Sequence, residues 1–332
     1  MYILVTNGPR DLVDDQHAMN KIAFLFPGQG SQYTGMGRDL YEHHPEVRAL
    51  FEEASETTAM KMTDLCFKGP DEVLKRTEMA QPAVALVNAA CLCVLKQQGI
   101  APHALAGHSL GEYTALYAAG AMAFGTMMDL VRKRAFFMQE AAEKNPGGMA
   151  AVIGLEAEKV TTICKEALAA GYVAPANFNA PLQTILTGEA SGIEKAVELL
   201  KKAGARMVIP LKVSGAWHSK FMVAAGERMR AALAGAEIKK AELPVVANAT
   251  AGRVSAPEEI REALERQVSA PVLWSASMKR LLDDGFTTFV EVGPGKVLRV
   301  LMREIAKHAT AYNVENTGTL SKFLASDKAH TA

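Results

Sequence analysis

A Gly-x-Ser-x-Gly pentapeptide, Gly107-His108-Ser109-Leu110-Gly111, constrains this chain more than any other stretch. An apolar approach, Ile100 to Ala106, enters it, and a helix-like run, Glu112 to Ala121, leaves it. That context fits a nucleophile elbow, a tight strand-to-helix turn that lifts one serine hydroxyl clear of the backbone. Glycine at 107 and 111 lets the turn close without Cβ clashes. Ser109 then stands at a helix N-terminus, where the Leu110 amide can point at a developing oxyanion. The chemistry expected is acyl transfer through an acyl-serine. A glycine-bracketed turn with an N-cap serine is the plainer alternative; the strand before and the helix after favour catalysis.

The 332 residues give room for one large domain, or a large domain carrying a smaller insertion. With 49% hydrophobic and 22% charged residues, the composition is that of a soluble globular enzyme. Lys plus Arg equals Asp plus Glu at 36 each, so net charge points to neither nucleic acid nor membrane. No uninterrupted apolar run is long enough for a membrane span. Cys66, Cys91, Cys93 and Cys164 show no metal-ligand spacing and read as reduced core cysteines of a cytoplasmic protein, with no metal site. Residues 1–20 lack the basic start and apolar centre of a signal peptide. They are expected to be a disordered extension, with Met19 an alternative start and 1–18 dispensable.

Ile22 to Phe26 reads as a buried strand running into the glycine-rich loop Pro27-Gly-Gln-Gly-Ser-Gln32. Helical patterns follow at about 45–60 and 80–98, and again at 125–144 after the elbow. Beyond the breaker Asn145-Pro-Gly-Gly148 the texture changes to β-α-β-β-α-β, ending near Val213. That order is the split βαβ pattern of a ferredoxin-like unit. Larger α/β texture then resumes: a strand at 243–248, helices at 257–268 and 274–284, a strand at 286–292 and a helix after Gly295. The expected fold is α/β, with a discontinuous catalytic domain of 21–145 and 214–318, a ferredoxin-like subdomain at 146–213, and a C-terminal tail at 319–332.

A serine nucleophile needs a base within hydrogen-bond reach. Of eight histidines, His17 and His330 lie near the ends, His43 and His44 sit just before Pro45 at a helix start, and His308 falls on a charged helix. His103 precedes the elbow strand, and His108 neighbours the nucleophile on a turn where adjacent side chains diverge. His218 remains, after a glycine turn and among apolar neighbours suited to a neutral imidazole. No carboxylate stands out to orient it; a backbone carbonyl can do so. On the helix 125–144, Arg134 shares an apolar face with Met127, Val131, Met138 and Ala141. A buried arginine needs an anion, either an internal Asp or Glu or a substrate carboxylate.

Six ordered motifs then converge: Phe-Pro-Gly-Gln-Gly-Ser-Gln (26–32), Gly-His-Ser-Leu-Gly-Glu (107–112), Arg-Ala-Phe-Phe-Met-Gln-Glu (134–140), Asn-Phe-Asn-Ala-Pro (177–181), Gly-Ala-Trp-His (215–218) and Glu-Val-Gly-Pro-Gly-Lys-Val-Leu (291–298). Over about 21–318 the chain resembles malonyl-CoA:acyl carrier protein transacylases of fatty acid synthesis, and the free-standing acyltransferases serving some polyketide synthases. The resemblance implies an α/β-hydrolase-like core with an inserted ferredoxin-like subdomain. It implies Ser109 as nucleophile, His218 as base, and the amides of Leu110 and Gln29 as oxyanion hole. Arg134 becomes the clamp for the malonyl carboxylate, and the backbone carbonyl of Gln267 the orienting group for His218. The implied reaction is ping-pong transfer of malonyl from malonyl-CoA to the phosphopantetheine thiol of acyl carrier protein, by a monomer needing no cofactor beyond coenzyme A as acyl carrier.

Two departures bear on specificity. Trp217 stands where malonyl-selective relatives often carry phenylalanine or a small residue, so its ring is expected to disfavour a 2-methyl branch. Basic residues for the phosphate end of coenzyme A are sparse; Lys201, Lys202 and Arg206 are candidates for an acidic carrier, or simply a solvated face. A hydrolase of the same fold would use Ser109 and His218 but have no need of Arg134, and a non-catalytic scaffold would need none of the three. Gly-x-Gly at 28–30 is too short a pattern for a phosphate cradle.

Overall fold

The computed structural model describes residues 21–326. The expected extension at 1–20 lies outside the described residues, as does 327–332. The chain opens with β1 (Ile22–Phe26), followed by α1 (Arg38–His43), α2 (Pro45–Thr58), α3 (Met62–Lys68), α4 (Asp71–Leu74) and α5 (Thr77–Gln97). The elbow region is β2 (Ala104–Gly107), α6 (Gly111–Ala118) and α7 (Phe124–Lys144). Next come β3 (Gly148–Ile153), α8 (Ala157–Ala167), β4 (Val173–Ala180), β5 (Gln183–Gly188), α9 (Ala190–Lys202) and β6 (Met207–Pro210). The rest is α10 (Val223–Ala234), β7 (Val245–Val246), β8 (Arg253–Val254), α11 (Pro257–Ser269), α12 (Trp274–Asp283), β9 (Thr288–Val292), α13 (Val297–Ile305), β10 (Thr310–Val314) and α14 (Thr317–Leu324).

Two sheets organise these elements. The larger has strand order β10-β9-β1-β2-β7-β8, parallel except where β8 turns back on β7. Every residue of β1, β2 and β9 is buried, as a parallel sheet covered on both faces requires. The smaller sheet, β4-β5-β3-β6, is antiparallel and has α8 and α9 packed on it, the expected ferredoxin-like arrangement. Its strand β4 runs on into the larger unit: Phe178 N–H donates to the Val272 carbonyl at 2.9 Å, and Val272 N–H to Ala176 at 2.8 Å. This pairing ties β4 to the segment between α11 and α12.

Helix α5 lies in the core, and 83% of its most apolar window is buried. Although no uninterrupted apolar run of spanning length appears in the sequence, this helix is long and apolar enough to cross a membrane. Its apolar faces are instead covered by neighbouring elements, α7 and α2 foremost. The expected tail boundary at 319 is corrected. It falls inside α14, whose Leu320 and Phe323 are buried three residues apart, with Phe323 5.2 Å from the Tyr312 ring on β10. His308 lies between α13 and β10, not on a helix. The strand expected at 243–248 shortens to Val245–Val246.

Candidate active site

The elbow forms where β2 meets α6. A Cβ on Gly107 would lie 2.0 Å from the Gly111 carbonyl, and one on Gly111 2.1 Å from the Phe26 carbonyl, so only glycine lets the turn pack against itself and β1. Ser109 takes a left-handed conformation, φ 52°. Such a conformation costs about 1–3 kcal/mol and persists only where the surroundings enforce it. Here Asn248 does so: its Oδ1 accepts from Ser109 N–H and its Nδ2 donates to the Gly107 carbonyl, both at 2.6 Å.

Ser109 Oγ lies 2.8 Å from His218 Nε2. His218 Nδ1 lies 2.9 Å from the Gln267 carbonyl, which can only accept, so Nδ1 carries the proton and Nε2 is free to take one. Burial, then the Arg134 guanidinium, hold the imidazole far below its ordinary value, down to about 3. His218 also has positive φ, at 56°. His108 turns away from Ser109, with its Nε2 2.9 Å from Asn179 Oδ1 and its ring 5.3 Å from Trp274.

Arg134 is 1% exposed. Its Nη1 donates to Gln81 Oε1 at 2.6 Å, and its Nη2 to Gln267 Oε1 at 2.9 Å and to Ser109 Oγ at 3.0 Å. The Tyr113 ring sits 5.8 Å from the guanidinium carbon. All its hydrogen-bond partners are neutral: among the described residues no carboxylate is hydrogen-bonded to this cation, which lines a cavity. Arg132 and Lys133, on either side, pair with Asp129 instead.

The cavity, about 360 Å³, is lined from both the larger unit and the smaller sheet. Ser109, His218, Arg134, Gln29 and Trp217 line it, together with Met138, Met149, Ile185 and Leu301. An apolar wall around a few convergent polar groups is the usual make-up of a small-molecule site. Trp217 is buried and borders the cavity. Leu110 points its side chain into the core, while its amide, at the N-cap of α6, has no helical partner. The Gln29 side chain donates to Thr77, which holds the loop after β1 against α5. Gln267 is fully buried and serves twice, by its carbonyl and by its side chain. Among the described residues, no group of three or more His, Cys, Asp or Glu is placed to hold a metal ion.

Sequence reasoning missed Gln81, Asn248 and Glu112, buried polar residues whose partners lie far away in the chain. It also missed Lys75 and Lys212, exposed lysines that border the cavity. Lys201, Lys202 and Arg206 do not border it; Lys202 pairs with Glu198.

Comparison with known proteins agrees with this geometry. The family model described as "Acyl transferase domain" matches residues 23–324. A malonyl CoA-acyl carrier protein transacylase of Bacillus subtilis (strain 168) is 43% identical over 303 residues, covering 91% of this chain and 96% of its own. The namesake of Escherichia coli (strain K12) is 40% identical over 294 residues, covering 88% and 95%. Among solved structures, an acyl-carrier-protein S-malonyltransferase from Burkholderia pseudomallei 1710b matches with TM-score 0.88 at 40% identity, covering 92% of this chain and 99% of its own. A malonyl-transacylase in complex with a holo type II PKS acyl-carrier protein matches with TM-score 0.88 at 37% identity, covering 91% and 98%. At such identity over nearly the whole chain, shared ancestry accounts for the common fold, and the chain belongs to the malonyl CoA-acyl carrier protein transacylases of the acyl transferase family.

Proposed function

We propose that this chain transfers a malonyl group from malonyl-CoA to the phosphopantetheine thiol of an acyl carrier protein, through a malonyl-serine. The observation that carries this reading is the buried Arg134, which among the described residues has no hydrogen-bonded carboxylate and lies 3.0 Å from the Ser109 hydroxyl at the cavity wall. In the first half-reaction His218 Nε2 takes the Ser109 proton as Oγ attacks the thioester carbonyl. The oxyanion forms against the Leu110 and Gln29 amides, and the C–S bond breaks. The thiolate leaves as coenzyme A with the proton from His218. In the second half-reaction His218 takes a proton from the carrier thiol, whose sulfur attacks the malonyl ester. The Ser109 oxygen then leaves with that proton. Both halves use one oxyanion hole. The Gln267 carbonyl keeps the imidazole in the right tautomer, and Arg134 holds the carboxylate that an apolar pocket would otherwise reject.

The discontinuous catalytic domain interrupted at 146–213 goes with this reading, supported by the second sheet lying wholly within Gly148–Pro210. So does a cytoplasmic location, supported by the burial of α5 inside the fold. No metal or organic cofactor enters the chemistry. The test is steady-state kinetics with malonyl-CoA and a holo carrier protein. Parallel double-reciprocal lines and their loss in Ser109→Ala are expected. Intersecting lines, or malonate release that ignores the carrier, would overturn the reading.

A further inference from the structure

Glu112 is the one ionisable group in this hydrogen-bond network without a part in the steps above. It sits in the first turn of α6, fully buried, and burial pushes its carboxyl up to about 7 against the pull of Gln267, Asn248 and Arg134. Its Oε2 accepts from Gln267 Nε2 at 2.7 Å and from the Asn248 amide at 3.1 Å. The Gln267 side-chain amide also donates to the Ser109 carbonyl at 2.7 Å. Both N–H bonds of that amide are therefore committed. Turned over, it would set its oxygen against the Ser109 carbonyl, which cannot donate, and its N–H bonds against the Arg134 guanidinium, which cannot accept. Its Oε1 is thus fixed toward Arg134, which donates to it at 2.9 Å.

We propose that Glu112 is a positioning residue for acyl selectivity: by locking the Gln267 amide, it fixes the plane of the Arg134 guanidinium that receives the substrate carboxylate. The inference rests on the malonyl-transfer reading. Glu112 acts through Gln267, since all hydrogen bonds of Arg134 go to neutral groups. Its second bond follows a different route. The Asn248 backbone amide carries the side chain that braces the elbow, and that brace serves any acyl group alike. The two routes separate in the ratio of rates for a donor with a carboxylate and one without.

The experiment measures single-turnover acylation of Ser109 by malonyl-CoA and by acetyl-CoA, read by intact mass, with thermal unfolding recorded for each variant. Glu112→Asp keeps the charge but draws the acceptor back by one carbon, about 1.5 Å. Misplacement on this scale can cost about a hundredfold. The malonyl-to-acetyl ratio is expected to fall at least about tenfold in Glu112→Asp and Glu112→Ala. Glu112→Gln can place a carbonyl where Oε2 lies and is expected to stay within about threefold of the parent. An unchanged ratio in Glu112→Asp, or Glu112→Gln behaving like Glu112→Ala, overturns the inference. A parent that takes no malonyl at all speaks instead against the malonyl-transfer reading.

Discussion

Arg134→Ala separates recognition of the carboxylate from the chemistry of the serine. In the folded protein the guanidinium is 1% exposed, so a carboxylate docked on it is screened little by water. At about 4 Å and an effective dielectric constant of about 20, the attraction is on the order of 4 kcal/mol. Truncating one side of a buried, hydrogen-bonded charge pair costs about 2–5 kcal/mol. At about 1.4 kcal/mol per decade, malonyl acylation of Ser109 should therefore slow by about 30- to 5,000-fold. Acetyl-CoA carries no carboxylate to lose. Removing Arg134 also removes one of the causes that depress His218, and so makes the base stronger. Acetyl acylation should hold or rise. The substitution leaves Gln81 Oε1 and Gln267 Oε1 without their donor, about 1–3 kcal/mol each in stability, so thermal unfolding must accompany the rates. Quenched mixing with each thioester, read by intact mass, gives both numbers. A folded variant that loses malonyl and acetyl acylation equally would refute the clamp.

Other expectations follow from the same geometry. With the His218 imidazole held down to about 3, the base stays neutral, and single-turnover acylation should remain level from pH 8 to about 5; a fall centred near 6.5, the ordinary imidazole value, would contradict this. The linked stability has a definite sign. Below about 6.5 the unfolded chain binds a proton that the folded one refuses, so the His218 contribution is present above 6.5 and is lost progressively as pH falls toward about 3. The pH dependence of thermal unfolding should flatten over that window in His218→Ala. Gly107→Ala drives a Cβ to within 2.0 Å of the Gly111 backbone and should cost about 3 kcal/mol or more, seen in denaturant melts; a near-normal melt would mean the turn is not so tightly packed. Trp217→Ala opens the cavity beside His218 and should raise acylation by methylmalonyl-CoA relative to malonyl-CoA by about tenfold, the worth of one added carbon in a fitted pocket; no change in the ratio would remove Trp217 from acyl selection.

What could be read from the sequence was local or periodic. The elbow is five consecutive residues, and Arg134 shows itself by sharing a helix face with apolar neighbours four and seven residues away. The ferredoxin-like unit appears because each of its elements switches period within about fifteen residues. Helix α10 escaped because Gly226 interrupts its pattern. Strand β10 escaped because its first three residues are only partly buried at the sheet edge. The network around Ser109 left no local signal at all. Asn248 bonds to a residue 139 positions away, and Gln267 to residues 133 and 158 positions away. Only the fold brings them together, and for Gln267 the family resemblance alone pointed to the right carbonyl.

The most direct test of the central claim is the mass of the protein seconds after mixing with malonyl-CoA, with the adduct located by peptide mapping and a holo carrier protein then added. The account predicts one malonyl group on Ser109, stable until the carrier arrives and then found on the carrier's thiol, and no adduct in Ser109→Ala. An adduct on another residue, or one lost to free malonate without any carrier, would contradict it.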